Sequence, residues 1–371
     1  MSDLYKKRFF LLEYLRGIAA LLVLSYHFFI FIFTQQNFYA SLLQAKPLQL
    51  ISPIYLEYFT NFPINIGFLG VSFFFLISGF LIQPSLQHYP SFKTFLKNKF
   101  FRLWPLYSFC FGISLLFVSV FSCLNNNPFP YTLNHLMSSL FWVRDIFDYP
   151  FIDGAVWTLE LQIKFYLLSA IIWYGWKNYF LERMTILNLV MAVSIYLCCQ
   201  YINTFSKFFY IVILWEKYLR YSSFILLGVC SYQVYVGQIS WRKAILIGVI
   251  LLMLFSGPWF NFLITRDVKS YCFGFFLFFG LIFSKSFNKE RNGLLLKSLS
   301  QVATISYPLY LTHVLPGYVV IYFSLKYDFT IYYGILAALG ISLFLAYVIT
   351  YLERYIRYSQ RITHILRSEI F

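Results

Sequence analysis

The sequence predicts an all-α, polytopic integral membrane protein with about ten transmembrane helices and both termini in the cytoplasm. Composition, the length of the apolar runs and the charge of the loops between them carry this expectation. Of 371 residues, 60% are hydrophobic, 23% aromatic and only 12% charged. A soluble domain is nearer half apolar and a quarter charged. The numbers argue against a soluble enzyme and a disordered chain. They also argue against an outer-membrane barrel, whose strands alternate around a polar interior. At about 20 residues per crossing, the length allows ten spans with short loops.

The apolar runs cover 9–33, 64–84, 101–123, 155–176, 184–203, 219–237, 241–260, 268–284, 302–324 and 331–352. The first carries Arg16 and is followed by no convincing small-x-small cleavage site, so it is expected to be retained as a span. The stretch 133–143 is too short to cross and is expected to be re-entrant or interfacial. With the N-terminus inside, 19 of the 29 Lys and Arg residues fall on cytoplasmic segments and 8 on outside loops, Arg144, Lys217 and Arg220 among the latter. That asymmetry follows the positive-inside pattern. It also accounts for the net charge of +15 without a nucleic-acid partner, because the basic residues sit between apolar runs. Residues 1–352 form one membrane-embedded domain. A basic cytoplasmic tail, 353–371, carries Arg354, Arg357, Arg361 and Arg367 at helical spacing. Of the six cysteines, all but Cys123 lie well inside apolar runs, and no CxxC occurs. Neither a disulfide framework nor a metal site is indicated.

Polar groups inside the spans are costly, so each is a functional candidate. Arg16 and His27 share the first span, eleven residues or about three turns apart, which puts them on nearly one face roughly 16 Å apart. An anionic head group at Arg16 with a long thin arm reaching His27 suits that spacing, and a pantetheine thioester has that shape. A histidine titrates near neutrality, so it can take a proton from a hydroxyl and return one to a leaving thiolate, or act as the nucleophile. Lys99 and Arg102 are neighbours on one helical turn at the cytoplasmic edge, where phosphates would lie.

The fourth span begins at the outer edge with Trp157, Glu160, Gln162 and Lys164. Glu160 and Lys164 are four apart and can pair. This stretch suits a hydroxyl-rich acceptor entering from outside, with Trp157 stacking on a sugar ring. In the second span Ser78-Gly79 permits close helix packing. In the ninth, Tyr310 and His313 share a face, and Pro308 frees a carbonyl and is expected to kink the helix. His313, Tyr310 and Ser78 join Trp157, Glu160 and Gln162 on the acceptor side. His88, His135 and His364 lie in loops or the tail, without metal-ligand spacing.

In this order the pieces resemble the membrane-bound acyltransferase-3 family. The resemblance rests on Leu15-Arg16-Gly17 through Ser25-Tyr26-His27 with its Arg-x10-His spacing, the block 70–82, residues 95–107, the block 157–168 and Ile305–His313. It implies ten or more helices in a bacterial inner (cytoplasmic) membrane. It also implies transfer of an acyl group, commonly acetyl, from cytoplasmic acyl-CoA to a hydroxyl of a sugar or glycan. By resemblance His27 is the essential catalytic histidine and Arg16 its partner, directed toward CoA. The family's usual Arg-x-x-Arg is here Lys99-x-x-Arg102, which keeps the charge and loses one bidentate fork. Ser72 stands where the family often has Asp, and Gln162 where a Glu is common. The expected partners are therefore acyl-CoA (acetyl-CoA foremost), a carbohydrate or glycan acceptor and the lipid bilayer, with the oligomeric state left open. The rival expectation is a secondary transporter of a polar or anionic solute, since ten spans with buried Arg, His, Glu and Lys also suit coupled transport. A third is a non-catalytic membrane scaffold or receptor.

Overall fold

The computed structural model describes residues 3–201, 207–257, 265–284 and 293–369, with side chains described between Phe10 and Ile356 outside 201–209 and the two remaining gaps. The loop cations Lys285, Lys289 and Arg291 lie outside the described residues. So do the side chains of Lys6, Lys7, Arg8, Lys207, Arg357, Arg361, His364 and Arg367.

Every described element is a helix. Helix α1 (Asp3–Tyr26) runs through a π-helical turn (His27–Phe31) into the short α2 (Ile32–Thr34). Two short helices follow, α3 (Gln36–Leu43) and α4 (Tyr55–Asn61), then α5 (Ile66–His88) and α6 (Phe92–Leu124). After α7 (Leu133–Leu140) and a 3-10 turn (Arg144–Phe147) come α8 (Trp157–Gly175), α9 (Phe180–Tyr201) and α10 (Lys207–Tyr235). The chain ends with α11 (Trp241–Ser256), α12 (Arg266–Phe283), α13 (Leu294–Thr312), α14 (Val314–Lys326) and α15 (Ile331–Glu369). Several starts are written in the sequence. Asn65, Ser91, Thr132, Ser240 and Thr265 each cap the helix that follows by accepting a backbone N–H in its first turn.

Among the described residues, five helices are long and apolar enough to cross a membrane: Phe10–Thr34, Ile66–His88, Phe92–Leu124, Phe180–Gln200 and Ile331–Ile356. The pair α13 and α14, bent by 68°, makes a sixth if it is one span. The other apolar runs fold into shorter or more polar helices. Helix α11 has 16 residues, and α12 opens with Arg266, Asp267 and Lys269.

Several boundaries differ from the hydropathy pattern for physical reasons. Helix α6 starts nine residues before the apolar run at 101, at the Ser91 cap, and so takes Lys93, Lys97, Lys99 and Arg102 into its first turns. Helix α10 likewise begins at Lys207, so Lys217 and Arg220, expected in an outside loop, are helical. Helix α15 passes residue 352 without a break, and the expected tail continues it to Glu369. Segment 133–143 forms α7 and folds back along α6. The Tyr107 hydroxyl donates to the Ser139 carbonyl at 2.9 Å, and the Trp142 ring lies 6.4 Å from that of Phe100. The chain left α6 at Leu124, which is roughly 35 Å further along that helix.

The core is organised around α1 and α5. Helix α1 packs between α5 and α13, and α5 also lies against α10 and α12. Close approach needs glycine at two points. A Cβ on Gly79 would collide with the Ile225 carbonyl, and one on Gly228 with the Leu76 carbonyl, so α5 and α10 interlock backbone to backbone. Gly79 thus has the packing role expected of it, and neighbouring Ser78 is turned to the site described next.

Candidate active site

Two helices lose their regular pattern at the same place. The first span switches to a π turn at His27, a deviation that recurs at functional sites. Helix α13 ends at Thr312, and His313 forms the joint to α14. Pro308, expected to kink this segment, lies inside α13, which continues past it to Thr312. The break in the helix falls at His313, and Pro316 stands in the first turn of α14 just after it. Proline has no N–H for the Thr312 carbonyl, and its ring crowds that carbonyl.

These irregularities bring His27 and His313 together. Nδ1 of His27 lies 2.7 Å from Nε2 of His313, with the rings stacked at 4.8 Å and 21°. Nδ1 of His313 lies 3.0 Å from the Tyr310 carbonyl and 3.1 Å from the Leu309 carbonyl. Both carbonyls accept only, so Nδ1 of His313 must carry the hydrogen. In the uncharged pair Nε2 of His313 is then an acceptor, and His27 donates to it through Nδ1. Nε2 of His27 is left with the lone pair, which is the atom a base or nucleophile needs. Sequence spacing pointed to each histidine separately. It gave no sign that His313 would orient His27.

A cavity of about 310 Å³, lined by residues of α1, α5, α6, α8, α13 and α15, reaches Tyr310; neither histidine is among its lining residues. It gathers Arg16, Lys99, Arg102, Ser78, Gln162, Tyr166 of the fourth span and Tyr310, and also Thr158, Tyr307 and Glu353, which sequence reasoning did not single out. Three cations against one carboxylate make this wall suited to an anion. Lys99 Nζ sits 4.7 Å from the centre of the Tyr166 ring. The Gln162 amide donates to Ser78 Oγ, and the Tyr310 hydroxyl lies 2.8 Å from Thr158 Oγ1. Tyr310 joins the cavity to the histidines, its ring 5.9 Å from that of His313. Ser78, Gln162 and Tyr310, expected on the acceptor side, therefore share a wall with the basic residues.

Glu160 and Trp157 are placed elsewhere. The expected Glu160–Lys164 pair does not form. Arg144 Nε and Nη2 grip both Glu160 oxygens at 2.9 and 2.7 Å, and Lys164 pairs with Asp145. A planar guanidinium matches both carboxylate oxygens, which a lysine on the same helix face cannot do. Arg144, expected as an outside-loop charge, is buried. Its Nη1 donates to the Tyr149 carbonyl at 2.6 Å, and its guanidinium lies 3.9 Å from the centre of the Phe151 ring. The one available signal was the adjacent Arg144-Asp145 step, complementary in sign to Glu160 and Lys164. Trp157 packs 5.0 Å from Tyr221 and 6.2 Å from Phe75, with Lys217 Nζ 5.2 Å from the centre of its ring. His135, expected in a loop, is buried in α7, where Nε2 donates to the Pro150 carbonyl at 2.9 Å.

The family model described as an acyltransferase domain matches residues 10–352. The chain belongs to the acyltransferase-3 family. No curated protein and no solved structure matches it. Membership makes the chain a membrane acyltransferase and sets aside the transporter and scaffold expectations.

In this acyltransferase one buried acid outside the spanning helices stands out. Asp153 precedes α8, and its Oδ1 accepts the Ala155 N–H at 2.9 Å. Burial pushes its carboxyl up to about 7, against the smaller opposing pull of the Ala155 and Leu315 backbone N–H groups. The folded state therefore keeps this proton after the unfolded chain has released it. The fold loses stability as pH rises from about 4 to about 7, by about 4 kcal/mol, and no more above that. Asp153→Asn is expected to raise Tm little at pH 4 and most at pH 8. Thermal unfolding of detergent-purified protein across that range checks this, and a gain independent of pH would contradict it.

Proposed function

We propose that this acyltransferase moves an acyl group, acetyl foremost, from cytoplasmic acyl-CoA to a hydroxyl of a cell-envelope sugar or glycan. It would sit in a bacterial inner membrane with about ten spans and both termini inside. The observations that carry the reading are the oriented lone pair on His27 Nε2 and a cavity walled by Arg16, Lys99 and Arg102, linked to the histidines through Tyr310. A nucleotide thioester needs those two features: cations for its phosphates, and a proton acceptor at the far end of a narrow arm. The cavity volume of about 310 Å³ suits the acyl-pantetheine arm, with the nucleotide toward solvent at the Lys99 end.

The chemistry balances with His27 alone as proton carrier. The acceptor hydroxyl gives its proton to His27 Nε2 as its oxygen attacks the thioester carbonyl carbon. The tetrahedral intermediate collapses, the C–S bond breaks, and the thiolate recovers the proton from Nε2. The products are an ester and free CoA. His313 holds the His27 ring through Nδ1 and so keeps Nε2 aimed at the reacting oxygen, a positioning role.

The test compares mass spectra of cell-envelope glycans from cells with the gene and without it. An acyl increment that needs both the gene and His27 supports the reading and identifies donor and acceptor together. Identical spectra, together with no CoA release from acetyl-CoA by membranes holding the protein, would overturn it.

A further inference from the structure

The residues expected to receive the acceptor do not form an open site for it. Ser78, Gln162 and Tyr310 line the cationic cavity, and Glu160 and Trp157 are held in packed contacts. A second recess, of about 570 Å³, opens between α3, the start of α7 and the segment 144–151. That volume is ample for a ring-sized ligand. Its walls include Phe38, Gln44, Tyr131, His135, Asp148 and Tyr149.

Two rings separate this recess from the histidines. Phe38 stands edge-on to Phe31 at 5.6 Å, and Phe31 lies 5.3 Å from His27. Phe38 is seated against Gly154, where a Cβ would lie 2.9 Å from its ring. The ring contacts that link the recess to His27 are thus made by aromatic side chains of half-buried residues.

The charge of the recess narrows the ligand. Arg144 contributes to the wall, but its guanidinium is engaged by Glu160 and the Tyr149 carbonyl. Asp148 is exposed at the rim, held at φ 56° by the end of the 3-10 turn. The charge offered to a ligand is thus a carboxylate, an acceptor for hydroxyl hydrogens that repels anions. The stacked His135 and Tyr149 rings, 4.9 Å apart at 11°, add a flat aromatic surface. Aromatic faces against C–H faces, with a carboxylate for hydroxyls, are what a neutral sugar ring needs.

We propose that this recess docks the acceptor as a neutral sugar ring, with Phe31 and Phe38 as the partition its hydroxyl passes to reach His27. The inference rests on the acyl-transfer reading, yet its test needs no acyl donor. The full-length protein in nanodiscs is probed by saturation-transfer NMR. The probes are methyl glycosides of glucose, galactose, mannose and N-acetylglucosamine, with methyl glucuronide as the anionic comparison. A neutral glycoside is expected to bind, and Tyr149→Ala and Asp148→Asn each to weaken it about tenfold. Met137→Ala, exposed on α7, controls for surface changes and leaves binding as it was. Absence of neutral-glycoside binding, binding unaltered in both recess variants, or preference for the glucuronide overturns the proposal. Glycoside binding in a protein that transfers no acyl group would instead keep the recess and remove the proposed function.

Discussion

Replacing His27 by alanine is expected to lower acyl transfer by about 10²–10⁴-fold, the usual contribution of a positioned general base. The variant should still fold, because the loss is of a ring that borders aromatic neighbours on one side and His313 on the other. His313 supplies the sharper experiment. Its alanine variant removes the acceptor that holds His27 Nδ1–H, frees the ring to turn, and should cost about 10²-fold through misplacement. Glutamine at 313 can still present a carbonyl oxygen to that N–H and should recover part of the loss. The readout is CoA released from labelled acetyl-CoA in membranes, normalised to folded protein. Full activity in His27→Ala sinks the mechanism. Equal activity in the two His313 variants sinks the positioning argument and leaves His27 untouched.

That pair also marks where the sequence stops being informative. Helical class, the apolar runs and the placing of Lys99 beside Arg102 on one turn follow from local periodicity and the cost of burying charge, both visible in one dimension. The contact between residues 27 and 313 spans 286 positions and depends on where two helices become irregular. The π turn has no marker in the residues His27–Phe31. The sequence offers two prolines near this break, Pro308 and Pro316, and helical spacing does not say which one it accompanies. Helix pairing on α8 fails for a related reason. The i,i+4 rule favours Glu160 with Lys164 in an isolated helix, but the fold-back of α7 delivers Arg144 and Asp145 from outside that helix.

Glu160→Ala is expected to destabilise the protein by about 3–5 kcal/mol, because it leaves the Arg144 guanidinium buried without its counter-charge. Removing both partners should cost less than the single change, since no lone charge then stays behind. Replacing the pair with apolar residues of similar volume, Arg144→Met with Glu160→Leu, should restore much of the stability. Unfolding of the parent, Glu160→Ala, Arg144→Ala and their double variant in one detergent measures the coupling, with the apolar pair as a fifth protein. The consequence is not confined to stability. Arg144 ties the fold-back segment to α8 and carries the Tyr149 carbonyl on its Nη1, so releasing it also loosens the Asp148–Tyr149 wall of the outer recess. Glu160→Ala should therefore weaken glycoside binding together with the fold, and the apolar pair should recover both. A Glu160 that touched the acceptor itself would behave otherwise. Its alanine variant would lose affinity at unchanged Tm, and the apolar pair would restore nothing. Measuring Tm and glycoside binding on the same samples separates a carboxylate that builds the wall from one that binds the sugar.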